Sequence, residues 1–204
     1  IPEKPYKLIF DDGTEVALSD EWRVSEGAHM QPCPGMDAGG QNLPSVLYNA
    51  MLYPLAPYAL QGVVWYQGES NSGGDARHYE TWLTELVTGW RQLWQSPDLP
   101  FVIVQLANFM EPTDQPQESG WCTVREAQRQ VAAQLPNTEL ACIIDLGEAV
   151  DIHPLRKREV AQRIAHNFEH ILWNKKLPLA PVVTSATVNH QPSPATVLLP
   201  PPHC

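Results

Sequence analysis

The stretch Gln61-Gly62-Val63-Val64-Trp65-Tyr66-Gln67-Gly68-Glu69-Ser70-Asn71 decides how the fold is read. Its first half is rich in β-branched and aromatic residues and predicts a strand over 61–66 covered on both faces. Its second half turns polar at once, with Gln67, Glu69, Ser70 and Asn71 around one glycine, Gly68. In open α/β sheets, sites gather just past the carboxyl ends of strands, and this turn sits at such an end. The plainer reading is a polar turn capping the next helix, with Ser70 or Asn71 as the cap.

The same strand-then-helix alternation extends to both sides. Upstream, Ser45 is a candidate N-cap for a helix that would bury Val46, Leu47, Ala50, Met51 and Leu55 and end at Pro54 and Pro57. Downstream, Gly73-Gly74 is a link and Asp75 a candidate cap for a helix to about Trp94, with Tyr79, Trp82, Leu83, Leu86, Val87, Trp90, Leu93 and Trp94 at helical spacing. Tryptophans on such a stripe can form a sugar-stacking platform, but the periodicity favours an aromatic core. Phe101–Leu106 predicts a second buried strand, ending in a polar turn at Asn108, and residues 110–120 a loop able to shape a substrate rim. Trp121–Leu135 predicts a helix with Val124, Ala127, Val131 and Leu135 inward. Leu140–Asp145 predicts a third buried strand. A last helix runs to about Trp173, with Val160, Ile164, Phe168 and Ile171 on one face. Strands separated by crossover helices imply a parallel sheet, hence an α/β fold in a three-layer α/β/α sandwich.

The flanks read differently. Leu8-Ile9-Phe10, the turn signal Asp11-Asp12-Gly13 and alternating Thr14–Leu18 predict a hairpin, and Trp22 and Val24 a further short strand. Residues 31–43 read as loop. Val182–Val188 alternates like a strand within a Pro-rich stretch that ends in Pro200-Pro201-Pro202 and a short tail. The expected organisation is a hairpin region at 1–30, an α/β domain at 31–175, and a tail or the start of a β segment at 176–204.

The chain has 204 residues, enough for one α/β domain with a substantial core, and 43% of them are hydrophobic, which places it among globular proteins. Thirteen Lys and Arg against 23 Asp and Glu give a formal net charge of −10, which argues against nucleic acid and anionic membranes as partners. An acidic substrate is not excluded, since one local arginine can reverse the field within a pocket. No apolar run has the length of a membrane span. Cys33, Cys122, Cys142 and Cys204 are dispersed with no CxxC pair, and Cys142 reads as a core thiol. His78, His166, His170 and His190 have no metal-ligand spacing, and no phosphate-cradling Gly loop precedes a helix. Neither a metal nor a cofactor is expected.

The chemistry-bearing residues are few. His153 follows a predicted strand and precedes a helix, with Asp151 two residues before it. A hydrolase needs an imidazole to take the nucleophile's proton and a carboxylate to fix its tautomer, and this pair can supply both. By itself the pattern better fits a surface histidine beside an incidental aspartate. Gln67, Gly68 and Asn71 are candidate oxyanion donors: a permissive glycine lets backbone N–H come close, and side-chain amides donate without titrating.

GVVWYQGESN resembles the corresponding block of the sialate O-acetylesterases, within the SGNH-hydrolase superfamily. So does the run from Pro44-Ser45-Val46-Leu47-Tyr48-Asn49-Ala50-Met51 to Pro54-Leu55-Ala56-Pro57-Tyr58, and so does Asp151-Ile152-His153-Pro154 with its basic helix. The blocks stand in the family's order across roughly residues 44–165, and Arg125-Glu126-Ala127-Gln128 is similar too. The resemblance implies an SGNH-type α/β sheet and serine esterase chemistry that removes O-acetyl groups from sialic acid without metal. It also implies His153 as base, Asp151 as its acid, an oxyanion hole at Gln67, Gly68 and Asn71, and a secreted or periplasmic parent protein. An acetylxylan-type esterase and a non-catalytic carbohydrate-binding or structural module are the alternatives. Two departures stand out. The superfamily usually spaces its pair Asp-x-x-His, whereas this chain has Asp-x-His. The family's nucleophile lies in an N-terminal Gly-Gln-Ser-Asn block, of which Gly39-Gly40-Gln41-Asn42 is an echo without the serine. Ser70 lacks the G-x-S-x-G pattern of a nucleophile elbow. The chain is therefore expected to be the C-terminal part of a catalytic domain, with a sheet incomplete on its N-terminal side and the nucleophile supplied by a missing N-terminal segment. The segment at 1–30 is then the end of an insertion.

Overall fold

The computed structural model describes residues 6–18, 40, 43–115 and 117–181, arranged in two units that meet in sequence at Val46–Leu47. In the first unit, β1 (Tyr6–Ile9) pairs antiparallel with β2 (Glu15–Leu18), Tyr6 opposite Leu18 and Ile9 opposite Glu15. The Asp-Asp-Gly signal closes this hairpin: Asp12 Oδ1 accepts the Thr14 N–H at 2.8 Å, and Phe10 N–H donates to Thr14 O at 2.9 Å. The expected strand at Trp22 and Val24 lies outside the described residues, as do the Val182–Val188 strand and the proline-rich tail.

The second unit is built on a three-stranded parallel sheet, order β3-β4-β5: β3 (Val63–Trp65), β4 (Phe101–Val104) and β5 (Thr138–Ala141). Val63 stands opposite Phe101, and Phe101 opposite Thr138. Helices α1 (Tyr79–Leu93) and α2 (Gly120–Gln134) connect the strands, and α3 (Lys157–Trp173) follows β5. Phe101 and Ile103 join a core with Tyr79, Leu83 and Val87 of α1 and Val124, Ala127 and Val131 of α2. Val102 and Val104 join another with Val160, Ile164 and Phe168 of α3. All four residues of β4 are fully buried because helices cover both its faces, which is why the strand carries no polar side chain. The layers are those of the α/β/α sandwich.

Several local expectations need correction. β3 is an edge strand covered on one face: Val63 is buried, but Val64 is 46% exposed. The helix expected after Ser45 is a π-helical turn at Tyr48–Leu52 followed by a 3-10 turn at Tyr53–Leu55. Its apolar stripe is not buried, since Leu47, Met51 and Leu55 are all exposed. Ser45 has φ +64°, a left-handed conformation unlike that of an N-cap, and Leu47 takes the cap position. The third strand begins earlier than the apolar run suggested, so Cys142 to Asp145 lie beyond it. Cys142 is partly buried and, like exposed Cys122, a free thiol. The tryptophan stripe of α1 is core, with Trp90 and Trp94 packed inward and only Trp82 well exposed. Among the described residues no helix is long and apolar enough to cross a membrane, and no cluster of metal-ligating side chains occurs.

Candidate active site

The polar turn after β3 is held by buried side chains from α1 and α2. Gly68 makes the turn possible with φ +148°, a region open to glycine. A Cβ there would stand 3.0 Å from Val124 Cγ1 and 3.1 Å from the Tyr79 hydroxyl. A 3-10 turn, Glu69–Ser72, follows, with Asn71 N–H donating to Gly68 O at 3.0 Å and Ser72 Oγ to Glu69 O at 2.7 Å. Within it Gln67 Nε2 donates to Asn71 Oδ1 at 2.7 Å. The Tyr79 hydroxyl donates to Gln67 O at 2.7 Å, and the Gln128 amide to the same oxygen at 3.1 Å. Burial raises the Tyr79 pKa above its ordinary value, and hydrogen bonds from Trp65 and Gln128 oppose that rise. Gln67 and Asn71, with Trp65, Tyr79, Trp82, Leu83 and Leu86, line a cavity of about 170 Å³.

The end of β4 is fixed in a similar way. Arg125 on α2 donates to Leu106 O at 2.9 Å and Ala107 O at 2.7 Å, and Trp121 Nε1 reaches Ala107 O at 2.8 Å. Burial lowers the Arg125 pKa, yet its donors go to carbonyls at the strand end, one of which, Ala107 O, it shares with Trp121. The following loop, with Asn108, Phe109, Trp121 and Arg125, lines an open concavity of about 630 Å³, the position expected for a rim. Asn108 Oδ1 accepts the Gly147 N–H at 2.7 Å, and Met110 N–H donates to Ala149 O at 3.0 Å. These bonds tie the loop after β4 to the loop after β5 that leads to Asp151 and His153.

Asp151 and His153 stand together. Asp151 Oδ1 accepts the His153 backbone N–H at 2.8 Å and lies 3.3 Å from His153 Nδ1. The imidazole is 82% exposed, open to a substrate or to further polypeptide. Neighbouring Ile152 packs against the core that contains Tyr79, and Pro154 is buried. Lys157, at the start of α3, places Nζ 5.6 Å from the Tyr66 ring centroid. The residue before Gln67 is thus in contact with the residue four beyond His153, so turn and histidine share the carboxyl end of the sheet. No hydrogen bond among the described residues joins the two groups, and none joins a serine to His153. Ser70 is exposed within the 3-10 turn.

Sequence reasoning missed Tyr79 and Gln128 as parts of this site. The signal was a polar residue on an inward stripe: Gln128 falls between Val124 and Val131 on α2 and is fully buried.

Residues 38–170 match the carbohydrate esterase family described as sialic acid-specific acetylesterase. The sialate O-acetylesterase of Mus musculus is 32% identical, over 70% of this chain and 29% of its own length. That of Homo sapiens is 32% identical, over 67% of this chain and 29% of its own. This chain therefore spans under a third of the curated relatives it matches. A carbohydrate acetylesterase from Xanthomonas citri, of known structure, is 40% identical with a TM-score of 0.66, over 72% of this chain and 34% of that one. That likeness agrees with an α/β sheet of SGNH-hydrolase type.

Proposed function

The chain belongs to the sialic acid-specific acetylesterase family of carbohydrate esterases, and from that premise we propose that it carries the base and oxyanion side of a serine esterase that removes O-acetyl groups from sialic acid. The observation that carries the reading is the Asp151–His153 contact at the same sheet end as the Gln67–Asn71 turn. In this reading His153 takes the proton of a serine hydroxyl as that oxygen attacks the acetyl carbonyl, gives it to the departing sugar oxygen, and then deprotonates a water that releases acetate from the acyl-serine. Asp151 steadies the imidazolium. Gly68 N–H and the amides of Gln67 and Asn71 are the donors for the tetrahedral oxyanion. The adjoining apolar cavity suits the methyl group of a small acyl unit.

The serine comes, in this proposal, from polypeptide outside these residues, an N-terminal segment of the same enzyme. Support is the lack of a Gly-Gln-Ser-Asn block in the sequence and of a serine bonded to His153 among the described residues. The outer edge of β3, unpaired among the described residues, is a suitable place for an added strand. By the family likeness the substrate is an O-acetylated sialic acid, and the parent enzyme is secreted or periplasmic. An acetylxylan-type specificity is the second reading, favoured by the likeness to a carbohydrate acetylesterase whose sugar is not specified.

The experiment compares acetate release from O-acetylated sialic acid and acetylated xylan, using the enzyme with its N-terminal segment and its His153→Ala variant. The expected outcome is turnover of the sialic acid ester that disappears in the variant. Preferred turnover of xylan would move the substrate to the second reading. Sugar binding without any turnover, unchanged by His153→Ala, would leave a non-catalytic module. A fluorophosphonate probe should leave the 204-residue chain unlabelled; stoichiometric labelling of one serine would place the nucleophile here, with Ser70 the first to mutate.

A further inference from the structure

We propose that Arg125 is a specificity-determining residue whose open guanidinium edge binds the carboxylate of the sialic acid that loses its O-acetyl group. This rests on the reading of the substrate as an O-acetylated sialic acid.

The chain has a formal net charge of −10, so most of its surface repels an anionic sugar. A cation at the site has to reverse that field. Arg125 is half-buried on α2 and lines the concavity of about 630 Å³ beyond the end of β4. Of its five N–H groups, the one on Nε goes to Leu106 O at 2.9 Å and one on Nη2 to Ala107 O at 2.7 Å. These two share one edge of the planar group. The edge formed by Nη1 and the second Nη2 N–H has no hydrogen-bond partner among the described residues. No carboxylate among them pairs with the guanidinium either. Two strand-end carbonyls thus hold the cation in place and leave open the fork that fits a carboxylate. Half-burial strengthens its attraction for an anion, because less water screens it.

The cation stands at the right height. Helix α2 starts at the carboxyl end of the sheet and runs back toward the start of β5. Its Gln128 bonds Gln67 O at 3.1 Å. Arg125 is three residues nearer the helix start, hence almost one turn closer to the carboxyl end where the Gln67–Asn71 turn lies. Asn108, in the same concavity, bonds Gly147 in the loop that leads to Asp151 and His153. A concavity of this size takes a ligand as large as an acetylated sugar acid. Glu111 and Asp114 also line it, exposed on the loop, and they disfavour an anion beside themselves. The carboxylate is thereby directed to the Arg125 end. Lys157 lies at this sheet end too, but it is exposed and its side chain has no anchoring hydrogen bond among the described residues.

The test compares kcat/KM for acetate release from an O-acetylated sialic acid and from its C1 carboxamide, using the enzyme with its N-terminal segment. The acid is expected to be preferred by about 10- to 100-fold, mostly through KM, as a charge-assisted fork implies. In Arg125→Gln the ratio should fall to within about threefold of one. Loss of the two strand-end bonds affects both substrates alike and cancels in the ratio. Arg125→Lys, which keeps the charge without the fork, should retain part of the preference. Should Arg125→Gln fail to fold, Cys122→Glu decides. Cys122 is exposed, lines the same concavity and stands three residues before Arg125 on α2. A glutamate there competes for the open edge, so the preference should drop severalfold, and by more than in Gln115→Glu, which adds the same charge elsewhere in the concavity. Equal turnover of acid and amide in the unsubstituted enzyme overturns the proposal and leaves the esterase reading standing. So does a preference that survives in folded Arg125→Gln, or one that drops equally in Cys122→Glu and Gln115→Glu. Turnover of acetylated xylan alone would sink the sialic acid reading, and this proposal with it.

Discussion

One oxygen of Asp151 does two things for His153: Oδ1 receives its backbone N–H at 2.8 Å and stands 3.3 Å from its ring Nδ1. The carboxylate therefore shapes the loop as well as touching the imidazole, and an asparagine can retain both contacts through its own Oδ1. In the complete enzyme Asp151→Asn is expected to lower kcat by about 10-fold. Asp151→Ala should cost more, and His153→Ala on the order of 1,000-fold or beyond, the usual range for a lost general base. The steady-state ratio of the variants checks this. Equal losses in Asp151→Asn and His153→Ala would mean that the negative charge, and not the loop geometry, carries the aspartate's role.

The fold was legible where burial leaves a periodic trace. Phe101–Leu106 reads as a buried strand and its first four residues, Phe101–Val104, form one, and the spacing of Val124, Ala127 and Val131 places α2 as found. The run from Val46 to Leu55 shows the limit of that logic: an apolar stripe says that a face can be buried, not that anything in the chain covers it. Asp151 and His153 were legible as a pair because a single loop residue separates them. The support of the Gln67–Asn71 turn was not, because the partners lie far off in sequence. Gln128 is 61 residues from Gln67, and its role follows only once α2 has packed across β3 and β4.

Arg91 illustrates a stabilising role that the apolar pattern of α1 conceals. It is 7% exposed, and Nε donates to Leu99 O at 3.1 Å. Its Nη2 reaches Pro136 O at 2.7 Å and Thr138 Oγ1 at 3.1 Å, and the guanidinium lies 5.5 Å from the Phe101 ring centroid. One side chain thereby satisfies the entries to both β4 and β5. Burial lowers its pKa, and Asp98 opposes that shift. Arg91→Met keeps much of the stem but orphans these acceptors, at an expected cost of about 2–4 kcal/mol. Urea unfolding should show a lower midpoint at unchanged slope. An unchanged midpoint would mean that water replaces the guanidinium freely.

Helix α2 also meets the turn through Gly120, where an added Cβ would fall within 1.8 Å of Ser72 O, a backbone atom that cannot swing aside. Gly120→Ala is expected to displace the Glu69–Ser72 turn, lowering stability by about 1–3 kcal/mol and activity of the complete enzyme by more than the stability loss explains. Thermal melts paired with kcat at a temperature well below melting separate these effects. Full kcat in a destabilised variant would show that Ser72 can move without carrying Gln67 and Asn71 along.

Alkaline pH should expose the two tyrosines of this region in opposite ways. Burial raises the Tyr66 pKa, with Glu69 adding to it, and burial likewise raises that of Tyr79. A raised pKa means that the folded chain holds the phenolic proton more tightly than the unfolded chain, which releases it near pH 10. The contribution is therefore fully present below about pH 10 and is lost as pH rises through the folded value. Yet the hydroxyls differ. Tyr79 accepts from Trp65 and donates to Gln67 O, whereas among the described residues the Tyr66 hydroxyl is buried without a partner. Tyr66→Phe removes an unsatisfied polar atom, so stability at pH 7 should hold or rise by up to about 1 kcal/mol while part of the alkaline loss disappears. Tyr79→Phe should cost about 1–2 kcal/mol at pH 7 by leaving the Trp65 N–H without its acceptor and Gln67 O without this donor. Urea midpoints from pH 7 to 11, with phenolate absorbance near 295 nm followed in parallel, give both quantities. A Tyr66→Phe protein that is less stable at pH 7 and just as sensitive above pH 10 would show that this hydroxyl has a partner.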